Sequence, residues 1–112
     1  MKLGLYAGSF DPPTLGHLDI IRRASSVVDR LIVGIGRNPE KQTVFSLEQR
    51  LRLLRLECGD IDNIQVEAID GATVAFARNH DVTVLIRGLR TYIDLVQERA
   101  MAEVNRANGF ES

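Results

Sequence analysis

The sequence predicts an α/β fold built on a doubly wound parallel sheet. Short apolar segments alternate along the chain with longer segments in which apolar residues recur at helical spacing. Two of the apolar segments, residues 31–35 and 82–86, are almost free of polar residues, which is typical of parallel strands buried on both faces. Strands that alternate with helices are joined by right-handed crossovers, so the predicted order is β-α-β-α-β-α-β-α.

The first half of the chain alternates twice between strand and helix. Residues 2–7 form a short apolar strand, and residues 14–28 follow with the apolar spacing of a helix. The second strand covers residues 31–35, and the polar loop after it contains Pro39, which cannot continue a strand. A second helix is predicted over residues 46–58.

This second helix has a recognisable start and two different faces. Ser46 and Gln49 have the spacing of a capping box, in which each side chain bonds the backbone of the other residue. The apolar face ends at Cys58, the single cysteine, which is predicted to be a buried and unreactive thiol. The other face is predicted to be a solvated surface rather than a binding patch, and its arginines are Arg50, Arg52 and Arg55.

The second half of the chain repeats the alternation. Residues 63–68 alternate between apolar and polar side chains, as in a strand, and a turn at Gly71 leads into a short helix over residues 72–79. The fourth strand covers residues 82–86. A last helix is predicted over about residues 91–108.

Length and composition exclude several classes of protein. The 112 residues predict a single domain over 1–112. A net charge of −1 gives no electrostatic attraction for nucleic acid or for a membrane surface. No apolar run approaches the ~20 residues that a membrane span requires, and the N-terminus lacks the layout of a signal peptide. We therefore expect a cytoplasmic protein.

Functional residues are expected where parallel strands end, because ligands bind beyond the carboxyl ends of strands at the point where strand order reverses. Three loops follow strands one, two and four, and their candidate phosphate-binding side chains are Ser9, His17, Lys41, Arg87 and Arg90. Hydroxyls and cations at a helix start suit phosphoryl or nucleotidyl transfer, which requires positioning and charge neutralisation. Asp11, the acid of the first loop, is predicted to cap a turn. The first loop matches neither G-x-G-x-x-G nor the G-x-x-x-x-G-K-[ST] phosphate loop.

Several segments together resemble one enzyme family. The first loop, GSFDPPTLGH, ends in the [T/H]-x-G-H signature of the nucleotidyltransferase superfamily. Residues 84–90, VLIRGLR, resemble the I-R-G-[LI]-R segment of bacterial phosphopantetheine adenylyltransferases. Residues 38–41 and 45–50 are similar to the lysine loop and the following helix start of that family. The resemblance extends over nearly the whole chain.

This resemblance implies a Rossmann-like nucleotidyltransferase fold and an enzyme of coenzyme A synthesis. Such an enzyme transfers AMP from ATP, with Mg²⁺, to 4′-phosphopantetheine, and it is typically a homohexamer. The family implies that Ser9 contacts both substrates, that Phe10 contributes its backbone, and that His17 stabilises transition-state charge. By motif position, the other ATP-binding residues are Gly88, Leu89, Arg90 and Glu98, and the other acceptor-binding residues are Lys41, Thr73 and Arg87.

The chain departs from the family pattern at three places. Ala72 and Thr73 stand where the family usually has bulky apolar residues against the pantetheine arm. Gln97 replaces the aromatic residue before the acid at position 98. The sequence ends at Ser112, before the Ile-Ser-Ser segment that binds ATP phosphates, so we expect a C-terminally shortened domain. Two alternatives follow: a nucleotide-binding or oligomerising chain without turnover, and a related adenylyltransferase with another acceptor.

Overall fold

The computed structural model describes residues 1–37, 42–86 and 92–94. Strands and helices alternate along most of this length, as the sequence predicts. In chain order the elements are β1 (Leu3–Gly8), α1 (Leu15–Ser25), β2 (Arg30–Arg37), α2 (Leu47–Glu57), β3 (Ile64–Asp70), α3 (Thr73–Asn79), β4 (Val84–Ile86) and β5 (Tyr92–Asp94).

The described strands form one sheet in the order β3-β2-β1-β4-β5. The central strand β1 pairs in parallel with β2 on one side and with β4 on the other, and β3 continues the parallel pairing beyond β2. The chain therefore winds outward from β1 through β2 and β3, and then returns to the opposite side of β1. The predicted Rossmann-like α/β fold is confirmed, and the strand order reverses between β1 and β4.

The prediction of a last helix is wrong for the first residues of that helix. Residues 92–94 form the edge strand β5, which pairs antiparallel with β4. Only residues 87–91 separate the two strands in sequence, whereas a parallel partner would need a crossover of about a dozen residues or more. Tyr92 and Ile93 are also an aromatic and a β-branched residue, which favour strands. The rest of that predicted helix lies outside the described residues.

Strand and helix boundaries differ from prediction by a few residues. The strand β2 continues through Gly36 and Arg37, which the sequence places in a loop, because Gly36 pairs with Ile69 and Arg37 with Asp70 in β3. The helix α1 ends at Ser25 rather than at residue 28, and β4 begins at Val84 rather than at residue 82. Pairing with a neighbouring strand, and not the length of the apolar run, sets the end of β2.

Both faces of the sheet are covered by helices. Side chains of successive strand residues point to opposite faces, so each buried strand contributes to two cores. One core lies under α1 and α2 and includes Tyr6, Ile21, Val33, Leu54 and Ile86. The other lies under α3 and includes Leu5, Ile32, Ile69, Ala77 and Leu85. This double burial explains why residues 31–35 are apolar without interruption.

Gly34 lets Ile69 of β3 pack closely against β2. A Cβ atom built on Gly34 would lie 2.3 Å from Ile69 Cδ1 and 2.8 Å from Ile69 Cγ1, and Ile69 is fully buried. We expect Gly34→Ala to lower the free energy of unfolding by about 1–3 kcal/mol, because the extra methyl overpacks this core. Urea denaturation measures the effect.

The matched control is Gly36→Ala in the same strand, where the nearest atom to a new Cβ is Gly8 O at 3.9 Å. This variant should change the free energy of unfolding by less than about 0.5 kcal/mol. Equal effects at the two glycines would contradict the close packing of Ile69.

Two further predictions concern burial and membranes. Cys58 is a free, buried cysteine, as predicted, and burial raises the pKa of its thiol. Among the described residues, no helix is both long enough and apolar enough to cross a membrane.

Candidate functional site

The loop after β1 lies at the point where the strand order reverses. Ser9 follows the last residue of β1, and β1 is flanked by β2 and β4, whose strands run in the same direction. Ligands of open α/β sheets bind in the crevice outside the strand ends at such a point. The sheet therefore places Ser9 and the start of α1 where a ligand is expected.

Phe10 anchors this loop by burying its ring in the core. Its side chain is 1% exposed, and its ring packs edge-on against Tyr6, with the centroids 5.4 Å apart, and against His17, at 4.9 Å. Its φ of 47° lies in the left-handed region, which costs a non-glycine residue about 1–3 kcal/mol. Burial of the ring contributes an opposing stabilisation of about 1.5–3 kcal/mol. The side chain thus holds the backbone of the loop in an uncommon conformation.

Gly8 has a packing role that the sequence did not indicate. A Cβ atom at Gly8 would lie 3.2 Å from two ring carbons of Phe10, which is tighter than ordinary contact. The glycine therefore makes room for the buried phenyl ring.

His17 is fixed at the start of α1 by a capping box with Thr14. The backbone N–H of Thr14 donates to His17 Nδ1 at 2.9 Å, and the backbone N–H of His17 donates to Thr14 Oγ1 at 3.2 Å. Both contacts satisfy N–H groups that a helix start leaves without partners. The imidazole therefore has one orientation, set by the backbone of the T-x-G-H motif itself.

The surroundings of His17 favour its neutral form and an incoming anion. Burial beside Phe10 and Tyr6 lowers the pKa of His17, because the charged imidazolium loses solvation there. Burial likewise raises the pKa of Tyr6. The first turn of α1 contains no acidic residue, so the partial positive charge of the helix start is not neutralised locally.

Arg50 lies inside the protein, so its predicted place on a solvated face is wrong. Its side chain is 5% exposed, and its Nη1 donates to the carbonyl of Ser9 at 2.9 Å. Its Nε donates to the carbonyl of Ser46 at 3.3 Å. Arg50 therefore ties the loop after β1 to the start of α2. The prediction holds for Arg52 and Arg55, which are both exposed, although Arg55 also donates to Val66 O at 3.2 Å.

A signal for Arg50 does exist in the sequence. It lies three residues after Leu47 and four before Leu54, and both leucines belong to the core that α2 covers. An arginine at an apolar position of a helix is expected to find hydrogen-bond acceptors inside the protein.

Asp11 has a structural role, but its hydrogen bonds to a distant segment differ from the cap on a turn that the sequence predicts. Its two carboxylate oxygens accept hydrogen bonds from the backbone N–H groups of Val44 and Phe45, each at 2.7 Å. Asp11 and Arg50 thus join the first loop to the segment before α2 at two points. The predicted lysine loop immediately precedes that segment in sequence.

The described residues bring together only part of the predicted site. Ser9, Phe10 and His17 lie together at the end of β1, whereas Thr73 is the first residue of α3, on the opposite face of the sheet from α1. Ala72 precedes it as an exposed N-cap residue. The other predicted site residues lie outside the described residues: Lys41, Arg87, Gly88, Leu89, Arg90 and Glu98.

The chemistry available at the end of β1 is anion binding. The imidazole of His17 lies there at a helix start without acidic residues, and the same loop carries the hydroxyl of Ser9; these groups suit phosphate oxygens. In the part of the chain that the structure describes, no cluster of three or more His, Cys, Asp or Glu side chains could hold a metal ion.

Comparison with known proteins identifies the family of the chain. The model of the cytidylyltransferase-like family matches residues 5–111. A phosphopantetheine adenylyltransferase of Gloeobacter violaceus is 48% identical over 109 residues, which cover 97% of this chain and 68% of the relative. The chain belongs to the phosphopantetheine adenylyltransferase family. This confirms the family that the sequence motifs indicated.

Other members of this family are similarly close. The phosphopantetheine adenylyltransferase of Lachnoclostridium phytofermentans is 47% identical over 105 residues, covering 94% of this chain and 64% of the relative. The one from Clostridium novyi is 44% identical over 106 residues, covering 95% of this chain and 66% of the relative. The chain thus spans about two thirds of the length of these relatives.

Solved structures agree with the fold. The lipopolysaccharide core biosynthesis protein of Thermoplasma volcanium superposes with a TM-score of 0.68 over 99% of this chain and 91% of that protein, at 19% identity. Protein Rv1636 of Mycobacterium tuberculosis superposes with a TM-score of 0.55 at 16% identity, with the same coverage. At these identities the likeness concerns the fold alone.

Proposed function

We propose that this chain is the catalytic domain of a pantetheine-phosphate adenylyltransferase of coenzyme A biosynthesis. The observation that most supports this function is the fixed position of His17. The capping box with Thr14 holds it at the start of α1, after the strand at which the strand order reverses. The names of the relatives give phosphopantetheine as the acceptor of an adenylyl group, and ATP as the donor of that group is the expectation from the family resemblance. In the proposed step an oxygen of the acceptor phosphate attacks the α-phosphorus of ATP, and the bond to the β-phosphate oxygen breaks. The products are dephospho-coenzyme A and pyrophosphate.

The proposed roles of the residues follow from the needs of that step. His17 donates a hydrogen bond where negative charge develops, Ser9 contacts both substrates, and the Phe10 backbone contacts the nucleotide. Lys41 and Arg87 bind the acceptor phosphate, and Thr73 contacts the pantetheine arm. The remaining ATP-binding residues in this proposal are Gly88, Leu89, Arg90 and Glu98.

We propose that Mg²⁺ enters with ATP as part of the substrate. Asp11, the acid of the first loop, already has both carboxylate oxygens bonded to backbone N–H groups. Mg²⁺ ordinarily keeps several waters and binds through substrate phosphates with one or two protein ligands. Such an ion would neutralise the pyrophosphate as it leaves.

Pyrophosphate release tests the proposed function. The protein, ATP and Mg²⁺ should release pyrophosphate when 4′-phosphopantetheine is added, and dephospho-coenzyme A should form in equal amount. Pantetheine, which lacks the attacking phosphate, is the matched control and should give no product. ATP binding by calorimetry together with zero turnover would contradict the proposal and favour a binding chain.

A related transferase with another acceptor is the second candidate. The small residues Ala72 and Thr73 favour it, because they form a smaller and more polar wall than the family usually has. A panel of phosphorylated acceptors in the same assay separates the two readings. Higher kcat/KM for another acceptor than for 4′-phosphopantetheine would favour the second candidate.

We also expect a cytoplasmic location and a homo-oligomer, with a hexamer as the family's typical state. Light scattering measures the mass in solution, and a monomeric mass would contradict the expected assembly.

A further inference from the structure

The histidine of the T-x-G-H motif occupies a helix position that is usually filled by another residue type. His17 is the third residue of α1, where a capping box ordinarily has Glu or Gln. Its Nδ1 accepts the Thr14 N–H at 2.9 Å and also lies 3.1 Å from Thr14 Oγ1. The ring nitrogen therefore accepts the hydrogen bond that the side-chain oxygen of Glu or Gln ordinarily accepts.

The start of α2 provides the comparison within the same chain. There the backbone N–H of Ser46 donates to Gln49 Oε1 at 2.9 Å, and the backbone N–H of Gln49 donates to Ser46 Oγ at 3.2 Å. The two corresponding distances in the Thr14–His17 box are also 2.9 and 3.2 Å. His17 Nδ1 thus stands where an amide oxygen stands in α2. A ring nitrogen that accepts a hydrogen bond from a backbone N–H does so through its lone pair, and it therefore carries no proton.

We propose that His17 is held as a neutral imidazole with its proton on Nε2, so that the N–H it donates in the adenylyl transfer proposed above is the one on Nε2. Thr14 is the positioning residue that selects this tautomer. The donation to phosphate rests on the adenylyl transfer proposed above, whereas the tautomer does not. Nε2 lies on the far side of the ring from the capping contact, and no hydrogen bond joins it to a described residue.

The same contact opposes the charged imidazolium. A proton on Nδ1 would point at the Thr14 N–H, so two donors would face each other and the capping box would break. Burial against Phe10 and Tyr6, the latter being the titratable neighbour in ring contact, acts in the same direction by lowering the pKa of His17.

The second histidine is an internal control with the opposite geometry. His80 Nδ1 lies 2.9 Å from the carbonyl oxygen of Phe76, and its ring stacks on the Phe76 ring at 4.0 Å. A carbonyl only accepts, so the geometry gives neutral His80 its proton on Nδ1. The protein's two histidines are thus expected to be opposite tautomers.

Long-range ¹H–¹⁵N NMR spectra of the ¹⁵N-labelled protein test the tautomers directly. The pH is set well above the usual histidine pKa of about 6.5, and a His80→Ala variant assigns the His17 signals. We expect an unprotonated Nδ1 and a protonated Nε2 for His17, and the reverse for His80. A protonated Nδ1, averaged ring nitrogens or a doubly protonated ring at His17 would overturn the proposal. This measurement needs no enzymatic activity, so its failure differs from failure of the proposed function.

Two variants of His17 test the donor role separately from the capping role. Both His17→Gln and His17→Glu can complete the capping box, as Gln49 does in α2, but only Gln offers an N–H donor. We expect both proteins to unfold at nearly the same temperature, and Gln to release pyrophosphate at least about tenfold faster than Glu. Equal rates for the two variants, or a faster Glu variant, would overturn the donor role.

Discussion

His17→Ala is expected to slow pyrophosphate release from ATP and 4′-phosphopantetheine by about 10²–10³-fold. Alanine removes a fixed hydrogen-bond donor, and loss of one such donor to transition-state charge costs about 3–4 kcal/mol. The effect should appear mainly in kcat, because the charge on the bridging oxygens is greater in the transition state than in bound ATP. Steady-state kinetics of the variant and the native protein measure both parameters.

His80→Ala is the matched control, because it removes the other histidine from an exposed position after α3. Its kcat and KM should equal those of the native protein within twofold, an allowance on the order of 0.4 kcal/mol. Since His17→Ala also breaks the capping box, circular dichroism of both variants must show a folded protein. An unchanged kcat in folded His17→Ala would refute the role of His17 in the chemistry.

Arg50→Met is expected to lower the free energy of unfolding by about 1–3 kcal/mol. Methionine has a similar length, but it leaves the Ser9 carbonyl without the guanidinium that donates to it at 2.9 Å. The loop after β1 then keeps its anchor through Asp11 but loses the one through α2. We therefore also expect weaker ATP binding, measured by calorimetry, alongside the stability change measured in urea.

Arg52→Met tests whether the loss of stability in Arg50→Met comes from the hydrogen bonds of Arg50 or from the removal of a positive charge from α2. Arg52 lies in the same helix and is exposed, so its replacement should change the free energy of unfolding by less than about 0.5 kcal/mol. Arg50→Lys should lie between Met and the native protein, because one ammonium cannot reproduce the forked geometry of a guanidinium. Similar losses of unfolding free energy in Arg50→Met and Arg52→Met would contradict a stabilising role for the hydrogen bond from Arg50 to the Ser9 carbonyl.

Local sequence signals predicted the parts of the fold that depend on neighbouring residues. The capping box of α2 was predicted from Ser46 and Gln49 alone, and both of its hydrogen bonds are present. The apolar segment 31–35 lies in β2, an interior strand with both faces buried, as five apolar residues in a row predict. The first loop was recognised through T-x-G-H, a motif whose contacts lie within four consecutive residues.

Contacts between distant residues were not predictable in the same way. Arg50 and Arg52 are the same residue type, two positions apart in one helix, yet one is buried and the other exposed. The helix phase could have suggested a buried Arg50, but its acceptor on Ser9 lies 41 residues away. The edge strand β5 likewise exists through its pairing with β4, which overrides the helical reading of residues 92–94.

The sequence by itself determined the alternation of strands and helices, the family and the residue types of the loop after β1. Only the tertiary structure decided what holds that loop in place. Gly8 makes room for the Phe10 ring, Asp11 bonds Val44 and Phe45, and Arg50 bonds the Ser9 carbonyl. The physical reason is that a backbone preference is encoded by adjacent residues, whereas a hydrogen bond across the sheet end requires two segments to meet in a fixed register.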